Sequence, residues 1–297
     1  MSLRDFGLLT LVCLVWASNN IVSKYVVSHL GLPPLFYAAV RFGIVAAATL
    51  PWLLPMPRPR WRLLVVASLM GGGNFALLFL GLKTSTPSAT AVIGQIGVPI
   101  TTLLSMLMLG EQIRWRRALG ITLTFAGCLA VMYDPRGFAL SPGLLYVVAS
   151  AFAGALGAVM MKQIEGVKPL QFQAWVGFAS FFPLAVLSAW LEPGQVQQAL
   201  TAGWPFVAAV LYSGLVVSVG AHTGYYFLIG RYEANLISPL TLMTPLATIA
   251  LGVAIFHDPF GLRMAAGTLL ALSGVLIIAV RRNHVMPLLL AIRNRAQ

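Results

Sequence analysis

Five residues near the N-terminus combine side chains that form hydrogen bonds with a spacing that a helix would bring together. They are Trp16, Asn19, Asn20, Ser23 and Lys24. The positions follow i, i+3, i+4, i+7 and i+8, which in a helix share an arc of roughly 140° at about 100° per residue. Indole, amide, hydroxyl and ammonium groups on one face could hold a small polar molecule or a neighbouring helix. We predict that this stripe lines a hydrated cavity, with hydrogen bonding between helices as the alternative.

Similar side chains recur far along the chain, each within an apolar run. They are Asn74, Gln95, His222, Tyr225 and Tyr226. We predict that they face the stripe across one cavity and bind the same ligand; for His222, a structural hydrogen bond is the alternative. Pro99 and Pro245 each lie in the middle of an apolar run. Because proline removes a backbone donor and bends a helix, we predict that both act as hinges.

The elements that must position these residues are membrane-spanning helices. Of the 297 residues, 59% are hydrophobic and 9% are charged, and the mean hydropathy is +0.88. Soluble globular domains are about 25% charged, and a helix needs about 20 mostly apolar residues to span a bilayer. Ten such runs are found, at 5–27, 34–54, 62–82, 87–109, 115–133, 142–162, 170–191, 205–228, 236–256 and 261–281. We predict an all-α integral membrane protein with ten transmembrane helices, embedded in a lipid bilayer.

The positive charge indicates the orientation of the chain in the membrane. The formal net charge is +12, and most of the 19 Lys and Arg residues fall on one side if the N-terminus is cytoplasmic. An excess of basic residues marks the cytoplasmic side of a membrane protein. Membrane orientation therefore accounts for the positive charge, and nucleic acid is not expected as a partner. We predict a bacterial inner (plasma) membrane protein with both termini in the cytoplasm. The tail, residues 285–297, is predicted to lie on the anionic inner leaflet.

The chain contains two copies of one pattern. A proline, an acidic residue and two glycines recur with spacings of 12, 9 and 7 in the first copy and 13, 9 and 7 in the second. The copies are Pro99, Glu111, Gly120, Gly127 and Pro245, Asp258, Gly267, Gly274. Asn74 likewise corresponds to His222. Because each half holds an odd number of spans, the second half enters from the opposite side, as in the inverted repeats of transporters. We place the first five-helix repeat at 1–137 and the second at 138–284.

These features resemble the drug/metabolite transporter (DMT) superfamily, EamA family. The resemblance rests on the paired halves, on Arg41 in the second span, and on LGEQIRWRRALGITLTFAGCLAV (109–131) echoed by FHDPFGLRMAAGTLLALSGVLII (256–278). The second copy has His257 and Asp258 where the first has Gly110 and Glu111. Within the family, the length and the polar, aromatic first helix are most similar to the YddG-type aromatic amino acid exporters. The resemblance implies the EamA/DMT fold and a transport function.

The positions of the acidic residues limit the transport mechanisms that fit the sequence. All seven fall at predicted helix ends or in loops: Asp5, Glu111, Asp134, Glu165, Glu192, Glu233 and Asp258. A proton-coupled exporter of organic cations normally has a carboxylate in its pathway, so we predict transport without carboxylate-based proton coupling. Amides and aromatic side chains suit a zwitterion with an apolar side chain. The predicted function is export of amino acids, aromatic and other neutral ones, or related small metabolites, by alternating access around a central cavity.

Two cations within the spans have open roles. Arg41 has no acidic partner in any predicted span; it could bind a carboxylate or reach the headgroups, and we favour a structural role. Lys24 lies near the end of its helix and could extend to the membrane interface instead of lining the cavity.

Other function classes fit the sequence less well. A broad-specificity multidrug or toxic-compound exporter is the alternative, since aromatic residues and 11 Met could form an adaptable wall. An integral membrane enzyme is disfavoured because its four histidines are scattered along the chain. Cys13 and Cys128 both fall within spans and suit packing. We predict no metal and no cofactor; the exact substrate, the coupling ion and the oligomeric state stay open.

Overall fold

The structure, a computed structural model, describes residues 1–110, 115–132, 142–161, 163–164, 166–232, 237 and 240–279. Every secondary-structure element in these ranges is helical. In chain order the helices are α1 (Leu3–His29), α2 (Pro34–Trp52), α3 (Arg60–Thr84), α4 (Pro87–Leu109), α5 (Trp115–Met132), α6 (Pro142–Met161), α7 (Pro169–Leu191), α8 (Gln195–Ala202), α9 (204–231), α10 (Met243–Phe256) and α11 (Leu262–Ala279).

Ten of these helices correspond to the ten predicted spans. Seven are long and apolar enough to cross a membrane by length and composition, whereas α5, α10 and α11 are shorter apolar helices within the described residues. This arrangement confirms the predicted all-α membrane fold. The largest apolar core lies among α2, α3, α7 and α9. The face of the bundle where α1 begins is called the near face below, and the face where α1 ends is called the far face.

Three features lie outside this agreement between pattern and structure. The helix α8 was not predicted, because it is short, polar and largely exposed between α7 and α9. The predicted boundary between residues 137 and 138 and the tail 285–297 lie outside the described residues. Both therefore stay predictions.

The fifth helices of the two repeats, α5 and α11, pack backbone against backbone through four glycines. A Cβ on Gly127 would lie 2.6 Å from the carbonyl oxygen of Gly267, and one on Gly274 would lie 2.5 Å from the carbonyl oxygen of Gly120. In the sequence repeat, Gly120 corresponds to Gly267 and Gly127 to Gly274. Each glycine therefore meets the counterpart of the other one, which is the contact pattern of a two-fold axis.

The helices that contain Pro99 and Pro245 are interrupted at matching places. The helical segments of α4 are Pro87–Gly94 and Gly97–Leu109, so the break falls at Gln95, four residues before Pro99. A turn at Thr241, four residues before Pro245, likewise precedes α10. A proline ring clashes with the carbonyl four residues earlier and offers it no N–H donor. Each break therefore lies where its proline disfavours a regular helix, whereas α7 runs unbroken through Pro183.

The third helices of the two repeats, α3 and α9, each contain a segment with a wider helical turn. The π-helical segment Leu69–Gly73 in α3 ends immediately before Asn74, and the segment Tyr212–Ala221 in α9 ends immediately before His222. Such segments are rare and often mark functional sites. The repeat is therefore visible in backbone conformation as well as in residue spacing.

Candidate functional site: a polar cavity at two interrupted helices

A cavity of about 440 Å³ lies between α1, α3, α4, α6 and α10. That volume is within the range of small-molecule sites, about 300–1,000 Å³. Five of the sequence-predicted residues line it: Trp16, Asn20, Asn74, Gln95 and Pro245. Four further polar residues line it that the sequence did not single out: Thr90, Ser150, Thr244 and Thr248. The cavity thus lies where α4 and α10 carry their breaks.

Asn20 is held on the cavity wall by a contact between the two repeats. Its Nδ2 donates a hydrogen bond to Oγ1 of Thr248 at 3.3 Å. The Thr248 hydroxyl in turn donates to the carbonyl of Thr244, one turn earlier in α10, at 3.0 Å. A carboxamide has two N–H donors and one carbonyl acceptor. The contact to Thr248 uses one donor and leaves the amide able to bind a ligand.

Asn74 is positioned by the π-helical turn before it and by a close approach of α6. Its Nδ2 donates to the carbonyl of Ser150 at 3.0 Å. A Cβ on Gly154 would lie only 2.4 Å from that Nδ2. The glycine therefore makes room for the amide between the two helices, and Asn74 sits half-buried on the cavity wall.

Gln95 lies at the break in α4. Its backbone N–H bonds to the carbonyl of Val92, three residues back, at 3.0 Å. Its side-chain Nε2 lies 3.4 Å from the carbonyl of Ala91. The predicted hinge Pro99, one turn further on, is buried away from the cavity, whereas Pro245 lines it.

Trp16 presents an indole whose N–H has no protein partner. Its Nε1 is buried and makes no hydrogen bond within the described part of the chain. Leaving a buried donor unpaired costs about 1–3 kcal/mol. The ring itself is fixed by Tyr225 and His222, at centroid distances of 4.9 and 5.2 Å.

His222, Tyr225 and Tyr226 do not line the cavity. His222 donates from Nδ1 to the carbonyl of Val217 at 2.9 Å. Tyr225 packs behind Trp16, and Tyr226 lies 6.0 Å from the ring of Phe172 in α7. These residues form a layer behind the wall.

The remaining members of the α1 stripe bond to neighbouring helices. Asn19 accepts a hydrogen bond from Ser213 in α9 at 2.9 Å, and Ser23 lies 3.4 Å from the hydroxyl of Tyr37 in α2. Lys24 donates from Nζ to the carbonyl of Leu82 in α3 at 2.8 Å. The stripe is thus divided: Trp16 and Asn20 face the cavity, while the other three residues make the interhelical contacts that were the alternative interpretation.

The residues that line the cavity are electrically neutral, and the nearest contact described toward the far face involves the carboxylate of Asp258. None of its lining residues is ionisable. One turn beyond Thr248, Gly252 packs so closely that a Cβ would lie 2.5 Å from Oδ2 of Asp258 and 2.6 Å from Oγ of Ser88. That same Oδ2 accepts the backbone N–H of Ser88 in the first turn of α4 at 2.9 Å. The contact joins the two repeats toward the far face.

The repeats are also in contact on the near face. The hydroxyl of Tyr232, just after α9, donates to Oδ2 of Asp5 in the first turn of α1, and Arg231 lies 3.8 Å from the same oxygen.

Within the described ranges, no group of three His, Cys, Asp or Glu side chains could hold a metal ion.

The four hydroxyl residues were missed for a physical reason. Serine and threonine within helices commonly bond to their own backbone, as Thr101 does to the carbonyl of Gly97 at 2.7 Å. Their presence in a span therefore carries little information on its own. The available signal was position: Thr244 and Thr248 flank Pro245 at helical spacing.

Comparison with known proteins agrees with this architecture. The model of the EamA-like transporter family matches residues 6–133 and 141–280. A "probable amino-acid metabolite efflux pump" of Salmonella typhimurium is 26% identical, covering 93% of this chain and 95% of the relative. The Escherichia coli protein of the same name is 25% identical, covering 93% and 95%.

A third relative and a solved structure extend the comparison. The uncharacterised transporter YvbV of Bacillus subtilis is 25% identical, covering 99% of this chain and 97% of that protein. A protein of known crystal structure superposes with a TM-score of 0.62 at 21% identity, covering 93% of this chain and 96% of that one. The last likeness shows the fold alone. The family match spans nearly the whole sequence in two consecutive halves, and the chain therefore belongs to the EamA-like transporter family and is a multi-pass membrane transporter, not an enzyme.

Proposed function

We propose that this transporter exports amino acids, aromatic and other neutral ones, or closely related metabolites, across a bacterial inner membrane. The observation that carries the proposal is the cavity itself. It offers carboxamides from Asn20, Asn74 and Gln95, hydroxyls, and the ring of Trp16, with no ionisable side chain among its lining residues. Such a site suits a molecule with polar groups of both signs and an apolar side chain. The names of two relatives as amino-acid metabolite efflux pumps support the same class.

The proposed mechanism is alternating access around this cavity. The interrupted helices α4 and α10 face each other across it, and the freed backbone groups at such breaks typically bind substrate in transporters. We propose that Pro99 and Pro245 act as hinges, and that the near face is cytoplasmic, as the distribution of basic residues indicates. In this scheme the contact of Asp258 with Ser88 on the far face separates to release substrate outside.

Transport in liposomes tests the proposal. Purified protein is reconstituted and challenged with labelled amino acids, sugars and cationic dyes, with and without a pH gradient. We expect neutral and aromatic amino acids to move down their own gradient, and movement to persist when an uncoupler collapses the proton gradient. Transport of dyes in preference to amino acids would instead indicate a broad drug exporter. Proton counterflow together with loss of transport on uncoupling would exclude the proposed mechanism.

A further inference from the structure

Arg41 is a fully buried cation in the middle of α2. Its side chain has 0% exposure. It therefore does not reach the membrane headgroups, which was one of its two predicted roles. Within the described part of the chain, no carboxylate pairs with it. Charged side chains within a membrane protein usually have a partner or mark a functional pathway.

The contacts of Arg41 compensate its charge only in part. Both Nε and Nη2 donate to one oxygen, Oγ of Ser218, at 3.1 and 3.0 Å. The guanidinium carbon lies 4.2 Å from the ring centroid of Phe75. The remaining nitrogen, Nη1, is buried and has no hydrogen-bond partner in the described ranges. A planar guanidinium with free N–H groups is the donor that binds a carboxylate through two parallel bonds.

The position of Arg41 connects this unpaired group to the cavity. Phe75, on which the guanidinium stacks, directly follows the cavity-lining Asn74 in α3. The ring of His222 lies 6.3 Å from Phe75 and 5.2 Å from Trp16, another lining residue. Two aromatic side chains, Phe75 and His222, therefore connect Arg41 to the cavity-lining Trp16. Its partner Ser218 belongs to the π-helical segment Tyr212–Ala221 of α9.

We propose that Arg41 binds the carboxylate of the transported molecule after the side chain of Phe75 turns aside. The inference rests on the proposed function and names the group that this end of the site recognises. The hydroxyl and amide oxygens of Thr244, Thr248 and Gln95, which line the cavity, are suited to an ammonium group. Together with Arg41 they would select a zwitterion over an organic cation, because a cation would meet the guanidinium without an anion to pair it.

The test compares three ligands that differ only in charge. Phenylalanine, its amide and 3-phenylpropanoate carry both charges, the ammonium alone and the carboxylate alone. Binding to purified wild-type protein and to Arg41→Met, Arg41→Lys and the matched control Arg62→Met is followed by thermal stabilisation and by competition. We expect Arg41→Met to weaken phenylalanine and phenylpropanoate at least about tenfold, the effect of one charged hydrogen bond, and to leave the amide unchanged. Arg41→Lys should be intermediate, and Arg62→Met should behave as wild type.

The other outcomes distinguish the assignment of Arg41 from the proposed export of amino acids. If wild-type protein binds phenylalanine and its amide equally, or if Arg41→Met weakens both equally, the assignment of Arg41 is wrong while the proposed function stands. If phenylpropanoate binds in an Arg41-dependent manner but phenylalanine neither binds nor moves, the carboxylate site stands and the amino-acid function falls. Should Arg41→Met fail to fold, the wild-type comparison of phenylalanine with its amide still decides.

Discussion

The two repeats share several backbone features, but the side chains that line the cavity differ between them. Each has a proline-induced break, a π-helical turn in its third helix, and glycines that cross the two-fold axis. The residue after the π-helical turn, however, is Asn74 in one repeat and His222 in the other. Asn74 lines the cavity, whereas His222 lies in the layer behind it. The symmetric features are thus in the backbone, where the proposed exchange between two conformations would act, whereas the side chains that line the cavity are asymmetric.

This comparison predicts that the largest loss of stability follows substitution of a glycine that both repeats share. A Cβ on Gly127 would lie 2.4 Å from the backbone N of Ala271, which cannot move without its helix. We expect Gly127→Ala to lower the melting temperature and the yield of monodisperse protein strongly, at or above the upper end of the roughly 1–3 kcal/mol typical of overpacking. Gly261→Ala, where a Cβ meets nothing within 4 Å, is the control. Equal melting temperatures for the two variants would show that the glycine contact does not hold the repeats together.

Substitution of the amide residues that line the cavity should instead affect the binding of substrate. We expect Asn20→Ala and Asn74→Ala to fold normally and to weaken amino-acid transport at least about tenfold, since a hydrogen bond to a charged ligand group contributes about 1.5–3 kcal/mol. The same result is expected of Gln95→Ala. The neighbour Asn19 is the matched control, because it is buried, bonds to Ser213 and does not line the cavity. Asn19→Ala should lower the melting temperature with little change in affinity; the reverse pattern would place the cavity on the other edge of the stripe.

The contrast between Asn19 and Asn20 also shows where sequence reasoning ends. Helix lengths and the internal repeat follow from apolar runs and residue spacing along the chain, so the fold could be predicted. Adjacent residues on a helix differ in direction by about 100°. Which edge of a polar stripe faces a cavity depends on how the neighbouring helices pack. The break at Gln95 followed from Pro99, whereas the cavity role of Ser150 depends on contacts between helices.

Substitution of the two prolines should have different effects, because only Pro245 lines the cavity. Replacing either with Ala restores a backbone donor and a straighter helix. For Pro99→Ala, which is outside the cavity, we expect transport to slow about three- to tenfold, equivalent to about 0.7–1.4 kcal/mol of barrier, with unchanged affinity. For Pro245→Ala, which lines the cavity, both rate and affinity should change. Unchanged transport rates in both variants would exclude a hinge role.

The smallest effect is expected at the far-face contact. Asp258 accepts the Ser88 N–H at the start of α4, where a negative charge is stabilised by about 0.3–1 kcal/mol. Asp258→Asn keeps an acceptor but removes the charge, so the population with the far face open should rise about two- to fivefold. Spin labels at the exposed positions Lys83 and Gly261 would report this as a longer distance. Asp5→Asn is the control, because this carboxylate joins the two repeats on the near face, where it accepts from Tyr232 and lies beside Arg231. An identical distance distribution in Asp258→Asn and wild type would mean that closure of the far face depends on the packing at Gly252 and not on the charge.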